Sequence, residues 1–166
     1  MPLQVCMTED PSIEGELLQK LDSLYCFYHK QWWCHRRMYY HFRRCHGLLN
    51  GASILIMAVG MIVGPVFENS IIVTILSAVG SVIKGWNNFK KFSLKMDMSH
   101  FAFTTYEKTL IELRSYARGL PLDELDGFLI KMQTLDETVS DFASPITDKC
   151  SQQYEMNFDY IPLDYS

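Results

Sequence analysis

The chain has 166 residues, of which 48% are hydrophobic and 20% charged, with a net charge of −4. Its 9 Gly, 6 Pro and 5 Cys exclude a collagenous or low-complexity chain and disfavour a secreted disulfide scaffold. The negative net charge also argues against a generic nucleic-acid binder.

These averages suit one soluble domain, but the distribution along the chain does not. Residues 1–118 hold 13 of the 15 Lys and Arg and 9 of the 19 Asp and Glu, whereas residues 119–166 carry a net of −8. Gly47 to Phe67 is free of charge, and after Glu68 the stretch from Asn69 to Ile83 is free of charge again.

Residues 1–11 read as irregular, with Asp10 and Pro11 suited to a helix cap and a first helical position. Leu17, Leu21, Leu24 and Tyr28 then recur at helical spacing, widened by Leu18, Tyr25 and Trp32. They predict an amphipathic, aromatic and basic helix over 12–46. No apolar core precedes residue 48 in the manner of a signal peptide, so the first apolar helix is expected to serve as its own insertion signal.

Residues 47–86 form the apolar heart of the chain. A bilayer core about 30 Å thick takes about 20 apolar helical residues. The run LLNGASILIMAVGMIVGPVF meets that length, though Gly64-Pro65 is a signal for an early end. The second run, SIIVTILSAVGSVIKGW, is shorter, with Lys84 able to snorkel and Trp86 suited to an interface. Two helices apolar all round are hard to hide in so small a soluble bundle. A two-helix transmembrane hairpin is therefore the expectation, a hairpin dipping into one leaflet its variant, and a buried hairpin in a soluble bundle its rival.

Arg36, Arg37, Arg43 and Arg44 precede the first run, and Lys84, Lys90, Lys91 and Lys95 follow the second. By the positive-inside rule both termini are cytosolic. Trp32, Trp33, Tyr39, Tyr40 and Trp86 lie among these charges and are expected at headgroup depth. Gly60 and Gly64, and Ser77 and Ser81, place small residues one turn apart on each apolar helix for close packing within a hairpin or between copies.

Over 87–118 the seam Phe89, Phe92, Met96, Ser99, Phe103, Tyr106, Leu110, Leu113, Ala117 alternates steps of three and four. That is a heptad pattern, expected to extend the second membrane helix without a break until Gly119-Leu120-Pro121 ends it. Over 121–144 an acidic amphipathic helix is expected, with the stripe Leu125, Leu129, Met132, Leu135, Val139 and Phe142. The tail, 145–166, has no period and is expected to be extended or disordered unless a partner holds it. Its Tyr154-Glu-Met-Asn and Tyr160-Ile-Pro-Leu163 have the form of phosphotyrosine and tyrosine-based sorting signals. Docking of the tail into a neighbouring protein is the other expectation for these residues.

The fold class is thus all-α, a two-helix transmembrane hairpin continuous with a cytosolic three-helix bundle or coiled coil. Cys34, His41 and Cys45 share one helical face and have zinc-ligand chemistry, but lack a second ligating element. Plain reduced thiols are the first expectation, with reversible acylation of Cys45 beside the membrane next and ahead of zinc. The run HRRMYYHFRR suits lipid headgroups better than nucleic acid. No phosphate-binding loop, GxSxG or HExxH occurs, and the apolar runs hold no ionisable pathway, so neither an enzyme nor a transporter is expected. No cofactor, catalytic residue or metal is called for. The partners expected are lipid, further copies of the chain, and a protein that holds the tail.

The juxtamembrane run YHKQWWCHRRMYYHFRR, the hairpin at 48–86 and the heptad helix at 89–117 together resemble SLATT-type two-transmembrane domains. Members of that family are regarded as pore-forming membrane effectors, paired with nucleotide-sensing modules in prokaryotic conflict systems and also found alone. The resemblance covers about residues 12–143 and implies oligomerisation through the hairpin; no sensor domain is expected within these 166 residues. The competing expectation is a structural anchor in a larger assembly, such as a minor protein of a virion with an internal membrane.

Overall fold

The structure, a computed structural model, describes residues 11–67, 70–117, 125–143 and 145–158. The cap at Asp10, the helix stop at 119–121 and the tail residues Tyr160 and Leu163 lie outside them. Nearly every described residue is helical, in the order α1 (Pro11–Phe67), α2 (Ser70–Lys90), α3 (Phe92–Ala117), α4 (Leu125–Phe142) and α5 (Asp148–Asn157).

Helix α1 is the spine. Its 57 residues run on through Gly64 and contain Pro65, where the sequence suggested an early stop. Pro65 removes one backbone donor within the last turn, where few hydrogen bonds remain to be lost. The C-terminal part of α1 packs against α2, and its N-terminal part against α3 and α5, with α4 lying on α3.

The packed N-terminal half has a core of Leu21, Tyr25 and Tyr28 from α1, Ala102, Tyr106, Leu110 and Leu113 from α3, and Phe128, Met132 and Val139 from α4. Helices α1 and α3 run antiparallel: Phe42 meets Phe92, Tyr39 meets Phe103, and His35 stacks on Tyr106 at 5.8 Å. The α3–α4 pair is antiparallel too, with Tyr106 Oη donating to Asp136 Oδ1 at 2.7 Å and Lys131 bridging Glu112 at 2.8 Å.

The heptad seam departs from expectation at its start. Lys91 adopts φ 52° and its amide donates to the Asn88 carbonyl at 3.1 Å, so α2 ends there and α3 begins anew. A left-handed lysine costs about 1 kcal/mol and turns the chain where an unbroken helix would continue straight. Phe89 therefore falls on the α2 side of the turn and is exposed, while Phe92, Met96 and Phe103 are half-buried and Tyr106, Leu110 and Leu113 buried. Ser99, the polar member, is fully buried.

A second correction concerns the tail. Residues 148–157 form helix α5 and do not run extended. It lies against α1 through Tyr154 and Cys150, neighbours that no local pattern in the tail announces.

Candidate functional site: the α1–α2 pair and its polar base

In the α1–α2 pair the usual arrangement of side chains is reversed. The large aliphatics point away from the protein: Ile54 and Ile62 are 69% exposed and Val82 71%, with Leu48, Leu55, Met61, Ile71 and Ile75 similarly placed. Small and polar groups lie between the helices. Ser53 and Asn87 are each only 4% exposed, and Gly60 and Gly80 are buried.

The glycines explain the close approach. A Cβ on Gly60 would sit 3.6 Å from Leu76 Cβ, and one on Gly80 would sit 3.5 Å from Met57 Cγ, both ordinary contacts. A Cβ on Gly64 would lie 2.6 Å from Val73 Cγ2, closer than atoms can stand. Gly60 and Gly64 thus serve the packing of α1 on α2. Ser77 and Ser81 are both exposed. Ser53 and Gly80 take their place at the interface, joined by a hydrogen bond.

A closed polar ring sits at the base of the pair. His46, Asn50 and Asn87 meet there, with His46 Nδ1 3.2 Å from Asn87 Oδ1, Asn87 Nδ2 donating to Asn50 Oδ1 at 2.9 Å, and Asn50 Nδ2 3.0 Å from His46 Nε2. Each side chain supplies one donor and one acceptor, so the ring closes with all three bonds satisfied. Asn87 and His46, 41 positions apart, offered no short-range signal.

Around this base stands a collar of cations on aromatic rings. Lys90 Nζ lies 4.9 Å from the Trp86 ring, Lys95 Nζ 5.9 Å from Phe42, and the Arg43 guanidinium 6.0 Å from Tyr39. Tyr40, Arg44, Lys84 and Lys91 are exposed in the same region. Cys45 is half-buried with its thiol 3.8 Å from His41 Nε2.

Trp32 and Trp33 leave this collar. Both are half-buried one to two turns further down α1: Trp32 packs on the core of the N-terminal half, and Trp33 on Tyr154 and Phe158. Arg36 and Arg37 lie 5.0 and 5.1 Å from those two indoles. An aromatic beside an arginine has the same sequence signature in an interfacial belt and in a helix seam; here the two tryptophans pack in the bundle, and Arg36 and Arg37 are exposed beside them.

The α1–α5 contact is built from polar and aromatic groups. The Tyr154 hydroxyl and His29 Nδ1 share a hydrogen bond of 2.9 Å, and Lys30 pairs with Glu155 at 2.8 Å. Burial pushes the Tyr154 phenol up to about 12 and lowers the His29 imidazole, so both are neutral at pH 7. Cys150 Sγ lies 3.8 Å from the Cys34 carbonyl, and burial, aided by the Cys150 thiol, pushes Cys34 up to about 12. Cys34 therefore stays a protonated, inert thiol. Among the described residues no three His, Cys, Asp or Glu side chains gather as a metal site.

Helix α1 contains, within Gln19–Pro65, a stretch long and apolar enough to cross a membrane by length and composition. Comparison with protein-family models, with curated proteins and with solved structures gives no match.

Proposed function

We propose that the chain is a non-enzymatic integral membrane protein that works by assembly. In this reading the α1–α2 pair is a hairpin in the bilayer, and the N-terminal half of α1 forms a cytosolic bundle with α3, α4 and α5. One observation carries it: the pair leaves Leu48, Ile54, Leu55, Ile62, Ile71, Ile75 and Val82 exposed while Ser53, Asn87, Gly60 and Gly80 are buried. Water would penalise that distribution by about 25 cal/mol for every Å² of apolar surface exposed, whereas hydrocarbon favours it. The Lys90–Trp86, Lys95–Phe42 and Arg43–Tyr39 pairs then meet the headgroups.

Thr74, Ser77 and Ser81 add a reason for self-association. They fall at helical spacing on the exposed side of α2, among aliphatic neighbours. Small hydroxyl residues on a lipid-facing surface favour close contact between copies of the helix. A pore-forming assembly, as the SLATT-like layout implies, is the form of oligomer proposed. A second reading, an anchor in a larger assembly, is favoured by the apolar groups exposed on the other half of the molecule, Phe101, Ile111, Ile130 and Phe142, which a protein partner would cover.

Alkaline carbonate tests the common premise. The protein is expected to stay with the membrane pellet, and its release into the supernatant would overturn both readings. Leakage of dye-loaded liposomes by the purified chain separates them. A pore leaks and loses that activity in Ser77→Leu; an anchor binds without leaking.

A further inference from the structure

His46, Asn50 and Asn87 gather about one point at the base of the α1–α2 pair. Asn87 presents both Oδ1 and Nδ2 at 3.2 Å from His46 Nδ1. Asn50 Nδ2 stands 3.0 Å from His46 Nε2, and Asn87 Nδ2 stands 2.9 Å from Asn50 Oδ1. Closing a ring of three bonds takes three donors and three acceptors. Neutral imidazole supplies one of each, and so does each amide. The ring closes in either sense, so the count is the same whichever way the two amides are turned.

An added proton upsets that count. Imidazolium has a donor on both nitrogens and no acceptor, so the ring then holds four donors against two acceptors. No turn of either amide restores the third bond. Two donors are left facing each other, and the bond between them is lost. Whichever side chain swings away to relieve them also leaves its second partner. The bonds from His46 and Asn50 to Asn87 are the ones that span the helices, so α2 loosens from α1.

We infer that this ring is an acid-operated latch: neutral His46 locks the base of α2 onto α1, and one proton on its imidazole releases it. The proton has access, because His46 is half-buried and lines a pocket of about 290 Å³ together with Asn87, Lys91 and Ser93. The charged groups around the ring favour release. Lys91 lines the pocket, Arg43 precedes His46 by one turn on α1, and Lys84 and Lys90 flank Asn87 on α2. Lys95 of α3 lies over Phe42, and His41 pairs with Cys45. No carboxylate among the described residues lines the pocket to hold an imidazolium. Histidine is the side chain whose charge changes near neutral pH, which sets the range in which the latch works. The latch rests on the three contacts alone, so its test is separate from that of the membrane reading.

The test is unfolding of the full chain by SDS in mixed micelles at pH 7.5 and 5.5, for the parent, His46→Gln and Asn50→Asp. Imidazole in an unfolded chain takes up its proton near pH 6.5, so a ring that admits only the neutral form raises the parent's unfolding constant by about tenfold at the lower pH. Glutamine supplies a donor and an acceptor at either pH, so His46→Gln is expected to lose that tenfold rise. The carboxylate of Asn50→Asp supplies two acceptors and no donor, which closes the ring with imidazolium. Relative to His46→Gln, that variant is expected to tighten on acidification, opposite in sign to the parent. His35 is present in all three chains, so its contribution cancels in the differences. An equal pH response in the parent and His46→Gln, or an Asn50→Asp chain that loosens on acidification as the parent does, would overturn the latch. If His46→Gln does not fold, the sign of the difference between Asn50→Asp and the parent decides.

Discussion

The Ser53 hydroxyl on α1 donates to the Gly80 carbonyl on α2 across 3.2 Å. Such a bond forms only where two helices approach closely, and the glycines on either side permit it. Their tolerance to substitution differs sharply. Gly64→Ala would drive a Cβ to 2.6 Å from Val73 Cγ2, and the short β-branched valine cannot swing aside. We expect a loss of about 1–3 kcal/mol from that substitution. Gly60→Ala and Gly80→Ala make ordinary contacts and gain helix propensity, so they should be neutral or slightly stabilising. Unfolding by SDS in mixed micelles measures all three, and an equal response at the three positions would refute this account of the packing.

The ring of His46, Asn50 and Asn87 should behave as a unit. Asn87→Leu leaves an unpaired acceptor and donor on its two partners and is expected to cost about 1–3 kcal/mol. Adding Asn50→Leu should cost much less than it does alone, because the bond between the two is already gone. A double-mutant cycle with simple additivity would show that the three side chains do not share one network.

Stability should also depend on pH through His35. Burial holds its pKa down to about 4, against an attraction from Asp136 that raises it. The unfolded chain takes up a proton near pH 6.5, before the folded chain does, so stability is lost as pH falls from about 6.5 towards 4. A shift of that size corresponds to about 3 kcal/mol. His35→Phe keeps a ring on Tyr106 and should flatten this part of the profile. Denaturation at pH 7 and at pH 4.5 tests it, and an unchanged slope in the variant would assign the pH effect to other groups.

Helix α5 is expected to be the element most easily released. Tyr154→Phe removes its hydrogen bond to His29, worth about 1 kcal/mol, while Tyr154→Ala also removes the packing on Trp33. Amide hydrogen exchange over 148–157 should rise modestly in the first variant and strongly in the second, with α3 unaffected. The same burial bears on the phosphotyrosine pattern around Tyr154. A kinase should act on that hydroxyl only after α5 leaves α1, so Lys30→Glu, which opposes Glu155, should raise phosphorylation in vitro.

The helical class and the apolar pair were legible because they rest on composition along the chain, where the absence of charge from Gly47 to Phe67 admits few alternatives. Gly60 and Gly64 were legible for a related reason, since small residues one turn apart imply close packing wherever they fall. For Ser77 and Ser81 the spacing fixed a face and not what that face meets, and both are exposed. The packing of Trp32 and Trp33 in the bundle was hidden because an aromatic beside an arginine reads alike in both settings, and α5 by distance, since its stabilising contacts lie more than a hundred residues away in α1. The break at Lys91 had no marker, because neither glycine nor proline stands there.

The uninterrupted course of α1 has a mechanical consequence. At 1.5 Å per residue its 57 residues make a rod about 86 Å long that contacts α2 at one end and α3 and α5 at the other. A tilt of one degree about one end displaces the other by about 1.5 Å. The return path through α2 and α3 is divided at Lys91. A shift imposed on Tyr25 or Tyr154 would therefore reach Gly60, on the same unbroken helix, as a change of angle.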